Sequence, residues 1–354
     1  MKTPSIHIVR HYGFVGGMEN YVVELTQALS KQGQSVTVIC ERSTSTQNDL
    51  SINVIELGCT HKKPRWLAQW LFSKKVTNYL KSNKAPDVTI HSHERSSDHQ
   101  VTTFHGPPFL NRKKHLLDCF SPRIHMWTWL EKKELLGDQV KLILPNSPLI
   151  ADQLIQHYPS IASKIGKPAY PGVAPSYSQL AKTNHPLTIG FIGREWKRKG
   201  LTVACEIVKQ LQLELPELHF LVAGCDPKEV NHLFTDFPEN SYTLAGWSEN
   251  TEGVLQEIDL LLHPATAEPF GMVIAEANAT GIPVVVSEQC GIADLITNKQ
   301  GSVCRLGDNF EIKLWVTACK ALLTKPITIE SLNLSWDELA TQHIDLYRSL
   351  QSKG

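Results

Sequence analysis

The sequence predicts an α/β protein built from two Rossmann-like domains, each a parallel sheet covered by helices. Three observations support this fold class. Short β-branched runs alternate with helical patterns, the strand candidates are almost continuously apolar, and the alternation restarts after a break at 166–188 that contains Pro and Gly. Continuous apolar strands are typical of parallel sheets covered on both faces. Ligands of such sheets bind beyond the carboxyl ends of the strands, so the loops there are the candidate sites.

Length and composition agree with two globular domains. The chain has 354 residues, of which 42% are hydrophobic and 20% charged, and a domain usually holds roughly 100–200 residues. We therefore predict an N-terminal domain at 1–183 and a C-terminal domain at 184–335. No apolar run approaches the ~18 residues of a membrane span, and the start lacks the apolar core of a signal peptide. The sequence thus favours a cytosolic protein.

The elements of the N-terminal domain follow from its periodicity. A strand at 6–9 precedes a helix at 17–33, whose apolar residues recur at helical spacing, and a second strand follows at 35–40. The remaining strand candidates are the runs at 87–93, 101–106 and 140–147.

The C-terminal domain repeats this alternation. Its helices are predicted at about 200–213 and 270–280. Its strand candidates are the runs at 187–193, 219–224, 242–246, 259–265, 283–287 and 301–306.

The net charge of zero conceals an asymmetry between the two halves. Residues 1–183 contain 22 Lys/Arg and 13 Asp/Glu, whereas residues 184–354 contain 13 and 22. A basic half can face an anionic membrane, an anionic substrate or nucleic acid, or it can simply attract the acidic half.

A glycine-rich loop lies between the first strand and the first helix. Glycines such as Gly16 and Gly17 let the backbone approach a ligand, and the helix N-terminus offers free N–H groups to an anion. The spacing Gly-x-x-Gly-Gly differs from the dinucleotide fingerprint. A tight turn without a ligand therefore remains an alternative.

A cationic segment, GREWKRKG, follows the first strand of the C-terminal domain. We expect Arg194 and Lys199 at the carboxyl edge of the sheet, with Lys197 and Arg198 adding charge. Such a cluster at the start of a helix suits a phosphate or a diphosphate. A solvated basic loop is the alternative.

The most informative segment spans 263–287, where seven residues separate Glu268 from Glu276. A helix is expected to begin near Phe270–Met272, including Gly271, and to present the unpaired N–H groups of its first turn to an anion or a sugar hydroxyl. Glu276 can accept hydrogen bonds from a ribose diol. Two solvated glutamates are the alternative.

This segment resembles the retaining glycosyltransferases of family 4, which have the GT-B fold with two Rossmann-like domains facing across a cleft. The resemblance covers nearly the whole chain, including a last helix at about 336–351 that crosses back to the N-terminal domain. It is carried by Glu268-Pro269-Phe270-Gly271 with Glu276, by Arg194 and Lys199 with Gly200, by Gly16-Gly17, by VTTFHG ending in His105, by LLLHPA, and by AGW ending in Trp247.

The resemblance implies a hexosyltransferase whose donor is a nucleotide-sugar, with a UDP-sugar favoured. Arg194 and Lys199 would neutralise the diphosphate, as preorganised charge does for a leaving group. Glu276 would bind the ribose, and Trp247 would pack against the base. Glu268 and the backbone of Phe270, Gly271 and Met272 would position the donor sugar. Gly16 and Gly17 would form a loop that binds the donor, and His105 would approach the sugar.

The resemblance also implies the course of the reaction. No Asp-x-Asp motif is evident, so we expect transfer without a metal ion or another cofactor. Retention would follow from front-face attack, with the departing phosphate accepting the proton of the acceptor. Within the family, IDLLLHPA and Cys290-Gly291 are similar to glucosyltransferases of the lipopolysaccharide core. Those enzymes differ in having an acidic residue in place of His105 and no Pro-Phe after the first Glu.

Two segments of the N-terminal domain concern the acceptor. In HSHERSSDH, Glu94, Arg95 and Asp98 are candidates for contacting acceptor hydroxyls. The same segment holds His91, His93 and His99, but cysteine partners for a structural zinc site are not nearby, so no metal site is predicted.

Basic and aromatic residues are mixed at 61–84, and a further basic cluster lies at 111–117. They could form a surface for the anionic inner face of the cytoplasmic membrane, or for a phosphorylated saccharide. A core-packed helix with a hydrated basic edge is the alternative.

Two other functions remain open at the level of sequence. An NAD-type dehydrogenase could use Glu41 for a ribose, but its glycine spacing is wrong and Glu268 and Glu276 stay unexplained. A non-enzymatic protein could bind an anionic surface through the basic half. The preferred prediction is a glycosyltransferase acting on a lipopolysaccharide core or a related cell-surface glycan, with no nucleic acid as partner.

Overall fold

The computed structural model describes residues 3–44, 51–59, 63–83, 87–112, 116–247, 250–307, 310–325 and 328–352. The chain forms two compact units, Met1–Gly172 with Ser335–Gly354, and Val173–Leu334. The first boundary thus lies at 172, whereas the sequence analysis placed it at 183. The segment between these positions is fastened to the second unit, because Thr183 N–H donates to Gln256 O at 3.1 Å.

The first unit is organised around a six-stranded parallel sheet in the order β5-β3-β1-β6-β7-β8. A small parallel pair, β2 with β4, lies beside it. Its elements are β1 Ser5–Ile8, β2 His11–Tyr12, α1 Gly17–Lys31, β3 Val36–Cys40, β4 Arg42–Ser43, β5 Ile52–Glu56, α2 Arg65–Ser82, β6 Thr89–Ser92, β7 Val101–Phe104, α3 Pro122–Leu136, β8 Leu142–Pro145 and α4 Pro148–His157.

The second unit contains another six-stranded parallel sheet, in the order β11-β10-β9-β12-β13-β14. Its elements are β9 Thr188–Ile192, α5 Trp196–Lys199, α6 Leu201–Glu214, β10 His219–Ala223, α7 Pro227–Val230, β11 Tyr242–Gly246, α8 Thr251–Gln256, β12 Leu260–His263, α9 Met272–Ala279, β13 Val284–Ser287, β14 Gly301–Cys304 and α10 Ile312–Thr324.

The last helix, α11 Trp336–Gln351, belongs to the first unit. It packs against α1, and its apolar residues Leu339, Ile344 and Tyr347 are buried in the same core cluster as Leu25 and Leu29 of α1. The amphipathic pattern of α11 therefore completes the cover of the first sheet.

Four interior strands, β1, β7, β12 and β13, are buried along their whole length. Strands buried on both faces read as apolar runs, as in β12 and β13, which explains why this pattern was visible in the sequence of the second unit. The prediction of two Rossmann-like units with parallel sheets is confirmed. Among the helices described here, none combines the length and the apolar character that crossing a bilayer requires.

Candidate active site

Glu268 is the centre of a charged cluster in the second unit. Its Oε2 atom lies 3.3 Å from Lys199 Nζ and 3.3 Å from a guanidinium nitrogen of Arg198. His263 Nε2 lies 3.6 Å from the same oxygen, which is longer than a hydrogen bond. One carboxylate is therefore shared by two cations and an imidazole.

The charge state of this cluster follows from burial and from these neighbours. Burial alone would raise the pKa of Glu268, but His263, Lys199 and Arg198 outweigh it and lower the pKa to about 2. His263 is fully buried, and burial lowers its pKa. Glu268 is consequently a carboxylate beside a neutral imidazole at neutral pH.

The backbone around Glu268 is held from two sides. On one side, Thr266 N–H donates to Arg198 O at 2.8 Å. On the other side, Glu268 N–H donates to Gln289 O at 3.0 Å, and Gly291 N–H donates to Glu268 O at 2.8 Å. The loop after β12 is thus fixed between α5 and the loop after β13.

Two glycines make room for the cationic segment. Gly200 adopts φ +83°, and a Cβ atom there would lie 1.9 Å from Pro264 O. A Cβ atom at Gly193 would lie 2.1 Å from Lys199 Cδ. The side chain of Lys199 therefore lies directly over Gly193, where a larger residue would displace it, and only glycine fits at position 200.

Helix α9 begins close to Glu268, as the sequence predicted. Gly271 is its N-cap, with φ +110°, and the helix starts at Met272. Within the described part of the chain, the N–H groups of Gly271 and Met272 have no acceptor. The side chain of Phe270 is buried, so at this position the backbone rather than the ring is presented.

Glu276 lies on α9 next to Tyr177 and Lys199. Burial raises its pKa to about 7, although Lys199 and Tyr177 oppose this effect. Burial also raises the pKa of Tyr177, and the charge of Glu276 adds to it. Glu276 is therefore a half-buried acid that ionises near neutral pH, beside the cation that also pairs with Glu268.

Arg194 and Trp247 line a separate cavity of the same unit, with a volume of about 660 Å³. The Arg194 guanidinium lies 5.5 Å from the centre of the Trp247 ring, a cation–π distance. The cavity is completed by the segment Gly224–Pro227 and by Glu229, beyond the ends of β10 and β11. The structure thus brings Arg194 to this cavity and Lys199 to Glu268.

The predicted residues of the first unit lie at the carboxyl ends of its strands. Gly16 is the N-cap of α1, which begins at Gly17, and Glu19 brings an acidic side chain into the first turn. His105 directly follows β7, and its ring lies edge-on to Tyr21 with 4.7 Å between the centroids.

The three acceptor candidates point to different partners. Glu94 accepts a hydrogen bond of 3.3 Å from Arg10 N–H, and burial raises its pKa to about 7. Arg95 forms an ion pair of 3.1 Å with Glu131. Asp98 accepts a hydrogen bond from the Thr77 hydroxyl.

The three histidines of HSHERSSDH lie in two different surroundings. Nitrogen atoms of His91 and His93 lie within 4.8 Å of each other and of His7, which the sequence analysis did not consider. His99 instead contacts Ser96 Oγ at 3.0 Å and Glu134 O at 3.0 Å.

The basic segment 61–84 is largely packed into the first unit. Phe72 and Val76 of α2 are buried, while Trp70 is half-buried beneath Lys74 at 4.6 Å. The cluster at 111–117 lies in part outside the described residues, as do residues 61, 62 and 84. Exposed aromatic side chains occur instead at Phe120 and Trp129, which are 80% and 46% exposed.

Three residues of the second-unit cluster were not assigned from the sequence. Arg198 was counted only as added charge, while His263 and Tyr177 were not considered as site residues. His263 could have been found from its place at the end of an apolar strand, five residues before Glu268. Tyr177 lies in the irregular segment 173–187, where no periodicity points to a site.

The fold and the site define a glycosyltransferase of the GT-B class. Residues 15–173 match the family described as Glycosyltransferase Family 4, and residues 186–325 match the one described as Glycosyl transferases group 1. The chain belongs to glycosyltransferase family 4. It is thus an enzyme, which overturns the dehydrogenase and non-enzymatic alternatives.

Among similar sequences is D-inositol 3-phosphate glycosyltransferase of Pseudarthrobacter chlorophenolicus, which is 23% identical over 95% of this chain and 91% of that protein. Lipopolysaccharide glucosyltransferase WaaG of Escherichia coli is 28% identical over 44% of this chain and 41% of WaaG. The predicted similarity to an enzyme of the lipopolysaccharide core is therefore confirmed.

Solved structures agree on the fold. The crystal structure of WaaG superposes with a TM-score of 0.73 at 18% identity, over 99% of this chain and 98% of WaaG. Anabaena HepE in complex with UDP and glucose superposes with a TM-score of 0.66 at 16% identity, over 99% of this chain and 98% of HepE.

Proposed function

We propose that this glycosyltransferase moves a hexose from a UDP-sugar to a saccharide or glycolipid of the cell surface, with retention of anomeric configuration. The observation that carries this proposal is the cluster of Glu268 with Lys199 and Arg198 beside the first turn of α9. A pyrophosphate needs cations and N–H donors, and a sugar needs a fixed hydrogen-bond acceptor. This cluster supplies all three within one loop region of the second sheet.

The cations would have two different tasks, since Arg198 would orient the loop and Lys199 and Arg194 would bind the diphosphate. Arg198 donates to Ala267 O and contacts both Glu195 and Glu268, so it serves to orient the loop. Lys199 has Glu268 as its ion-pair partner, and its ammonium group can turn to a phosphate oxygen without leaving the cluster. Arg194 is exposed and would take the other side of the diphosphate.

The nucleoside would extend from these cations in two directions. Glu276, as a carboxylate, would accept hydrogen bonds from the ribose hydroxyls. The cavity next to Arg194 has room for a nucleobase, and Trp247 offers it an exposed ring. Uracil is favoured because a complex of the structural relative HepE contains UDP.

The chemical step exchanges one C–O bond for another. The bond between the anomeric carbon and the phosphate oxygen breaks, and the acceptor oxygen bonds to the same face of that carbon. The acceptor proton passes to the departing phosphate oxygen, so UDP leaves with the charge that Lys199 and Arg194 stabilise. Glu268 and the Gly271 and Met272 N–H groups would hold the sugar, and His105 is proposed to contact it. No step requires a metal ion.

We further propose that the acceptor belongs to the lipopolysaccharide core or a related glycan, and that the first unit contacts an anionic membrane surface. The similarity to WaaG supports this acceptor class. Exposed Phe120 and Trp129, together with exposed Arg123, Lys132 and Lys133, provide apolar and basic groups for such a contact.

A donor screen tests the proposal. The purified chain is incubated with a panel of UDP-, GDP- and ADP-sugars, with and without core oligosaccharide, and release of the nucleoside diphosphate is measured. We expect release from one UDP-sugar, increased by the acceptor and lost in Lys199→Ala. Turnover of only GDP- or ADP-sugars would contradict the assigned donor, and inversion of the product anomer would contradict the mechanism.

A further inference from the structure

A chain of buried imidazoles crosses the first sheet. Ser5 Oγ lies 3.2 Å from His7 Nε2, and His7 Nδ1 lies 3.1 Å from His93 Nε2. His93 Nδ1 in turn lies 3.1 Å from His105 Nε2. These residues belong to three neighbouring strands, since His7 lies in β1, His93 directly follows β6 and His105 directly follows β7.

The row of hydrogen-bonded side chains has a buried end at Ser5 and an accessible end at His105. Ser5, His7 and His93 are buried, whereas His105 is only partly buried. Within the described residues, His105 Nδ1 has no hydrogen-bond partner, so this nitrogen is the one that can meet a ligand.

All three imidazoles are neutral at physiological pH. Burial lowers the pKa of His7 and of His105 to about 3, with His343 adding to the effect. Burial also lowers the pKa of His93 well below its usual value, and neighbouring imidazoles add to this effect. A neutral imidazole has one N–H donor and one bare nitrogen acceptor, so each ring must donate at one side and accept at the other.

Three such rings in series leave only two arrangements. If Ser5 donates to His7, then His7 donates to His93 and His93 donates to His105 Nε2, which places the His105 proton on Nδ1. In the reverse arrangement, His105 donates from Nε2 and Ser5 accepts at the far end. The proton position on His105 is thereby coupled to the hydroxyl of Ser5.

The buried end decides between the two arrangements. Within the described part of the chain, Ser5 Oγ has no hydrogen-bond partner other than His7. In the reverse arrangement its hydroxyl proton would be buried without an acceptor, and an unmet buried donor is costly. Donation from Ser5 to His7 leaves no such donor.

We propose that Ser5, His7 and His93 form a positioning relay that keeps the His105 proton on Nδ1, so that His105 presents an N–H donor at its open nitrogen. Isolated imidazole side chains favour the proton on Nε2, so the relay selects the less common form. The meaning of this donor for sugar transfer rests on the proposed function, in which His105 approaches the donor sugar. An N–H group at Nδ1 can donate a hydrogen bond to a sugar oxygen, whereas an unprotonated Nδ1 could only accept one from a sugar hydroxyl.

A metal ion would be a different occupant of the same histidines. It would have to take nitrogens of His7, His91 and His93 that already form hydrogen bonds, because His91 is held by Tyr347 at 2.6 Å and Thr103 at 2.8 Å. Elemental analysis of the purified chain separates the two ideas. Stoichiometric zinc, copper, nickel or cobalt would overturn the relay.

The direct test is an NMR spectrum of the chain with ¹⁵N-labelled imidazoles, since ¹⁵N shifts distinguish protonated from bare ring nitrogens. The His105 signals are assigned from their loss in His105→Gln. We expect the proton on Nδ1 in the unmodified chain. A proton on Nε2 would overturn the proposal without any variant.

Two variants test whether His93 imposes this form. A glutamine amide overlaps imidazole Nε2, so His93→Gln keeps a group facing His7 and removes the donor to His105, while His93→Leu removes both. In either folded variant, His105 should lose its preference for the Nδ1 proton, and the Nε2–H form should become populated. His343→Gln is the matched control, because this buried histidine forms no hydrogen bond to a relay residue, and it should leave the His105 proton on Nδ1. Persistence of the Nδ1 proton in His93→Gln would contradict the relay.

Transfer measurements separate the relay from the proposed function. In His93→Gln, His105 would carry its proton on Nδ1 only part of the time. This variant should therefore have a kcat lowered by about tenfold. A changed tautomer with unchanged kcat would support the relay and contradict the role of His105 at the sugar. An unchanged tautomer with lowered kcat would contradict the relay and leave that role standing.

Discussion

Lys199 and Glu268 form an ion pair of 3.3 Å between Nζ and Oε2, at the carboxyl edge of the second sheet. Lys199 follows β9 and Glu268 follows β12, and these strands are neighbours in the sheet. Strand order therefore joins a cation and a carboxylate that lie far apart in sequence. The pair couples the group proposed to bind diphosphate to the group proposed to hold the sugar.

Removal of either proposed diphosphate cation should slow transfer. We expect Lys199→Ala and Arg194→Ala each to lower kcat by about 100-fold or more, as for loss of one preorganised charge donor. Steady-state release of UDP measures the effect. Lys197→Ala is the matched control, because Lys197 is an exposed lysine on the same short helix and its ammonium lies over Trp196 at 5.0 Å. Near-normal rates in both site variants would refute the diphosphate assignment.

Arg198 should act on the sugar rather than on the nucleotide. Its guanidinium holds the Ala267 carbonyl, Glu195 and Glu268, so Arg198→Ala frees the loop that carries Glu268. We expect a lower kcat with nearly unchanged affinity for UDP, measured by calorimetry. A loss of UDP affinity as large as in Lys199→Ala would show instead that Arg198 binds the diphosphate.

UDP binding should depend on the protonation of Glu276. Burial raises the pKa of Glu276 to about 7, so the carboxylate form, which accepts hydrogen bonds from a diol, becomes dominant only above that pH. Affinity should therefore increase between pH ~6 and ~8 as the proton is lost. Glu276→Gln should bind UDP more weakly and lose this part of the pH dependence.

The phosphate of UDP titrates as well, so the quantity to compare is the ratio of the two affinities. That ratio, unmodified chain to Glu276→Gln, should increase between pH ~6 and ~8. Both proteins share the phosphate titration, which cancels. A ratio that stays constant over this range would argue against contact between the Glu276 carboxylate and the ribose.

The elements around the site could be predicted because their patterns are local. The strands at 219–224 and 242–246 and the helix at about 200–213 are visible as apolar periodicity, and β10, β11 and α6 lie within one residue of those bounds. The start of α9 at Gly271 could be predicted for the same reason, because the glycine and the helix that follows it are adjacent in the sequence.

Contacts between distant segments could not be predicted in this way. The pairing of Arg198 with Glu268 depends on β9 and β12 being neighbours, which the order of strands along the chain does not specify. The contact of Tyr177 with Glu276 depends on an irregular segment. The relay of His7 with His93 depends on the adjacency of β1 and β6. The first and third of these contacts arise from sheet order, and the second arises from the path of an irregular segment, and both are properties of the whole domain.

A second pH effect should concern stability. Burial raises the pKa of Glu134 to about 8, although Arg95 opposes this, and nearby Glu131 raises it further. The folded chain therefore holds this proton more tightly than the unfolded chain does. Stability from this group is fully present at low pH and is lost as the pH increases from about 4.5 to about 8.

Glu134→Gln should remove that loss. Relative to the unmodified chain, its melting temperature should increase progressively between pH ~5 and ~8 in thermal unfolding experiments. Glu131→Gln is the matched control, because Glu131 accepts from Arg95, Tyr158 and the Phe109 N–H and should destabilise the fold when neutralised. A difference between Glu134→Gln and the unmodified chain that does not vary with pH would disagree with the raised pKa.

The exposed aromatic and basic residues near α3 should bind anionic bilayers. Phe120 and Trp129 expose apolar surface, and Lys132 and Lys133 on α3 expose charge. Each basic residue near an anionic surface contributes about 1 kcal/mol, so Lys132→Gln with Lys133→Gln should weaken binding by about tenfold or more. Flotation with phosphatidylglycerol vesicles at low salt measures the binding, and high salt should reduce the binding.

The double variant Phe120→Ser with Trp129→Ser should also weaken binding. Leu213→Ser, which changes an equally exposed apolar residue of the second unit, should not weaken it. Absence of flotation by the unmodified chain at low salt would remove the membrane contact from the proposed function and leave the transfer reaction untouched.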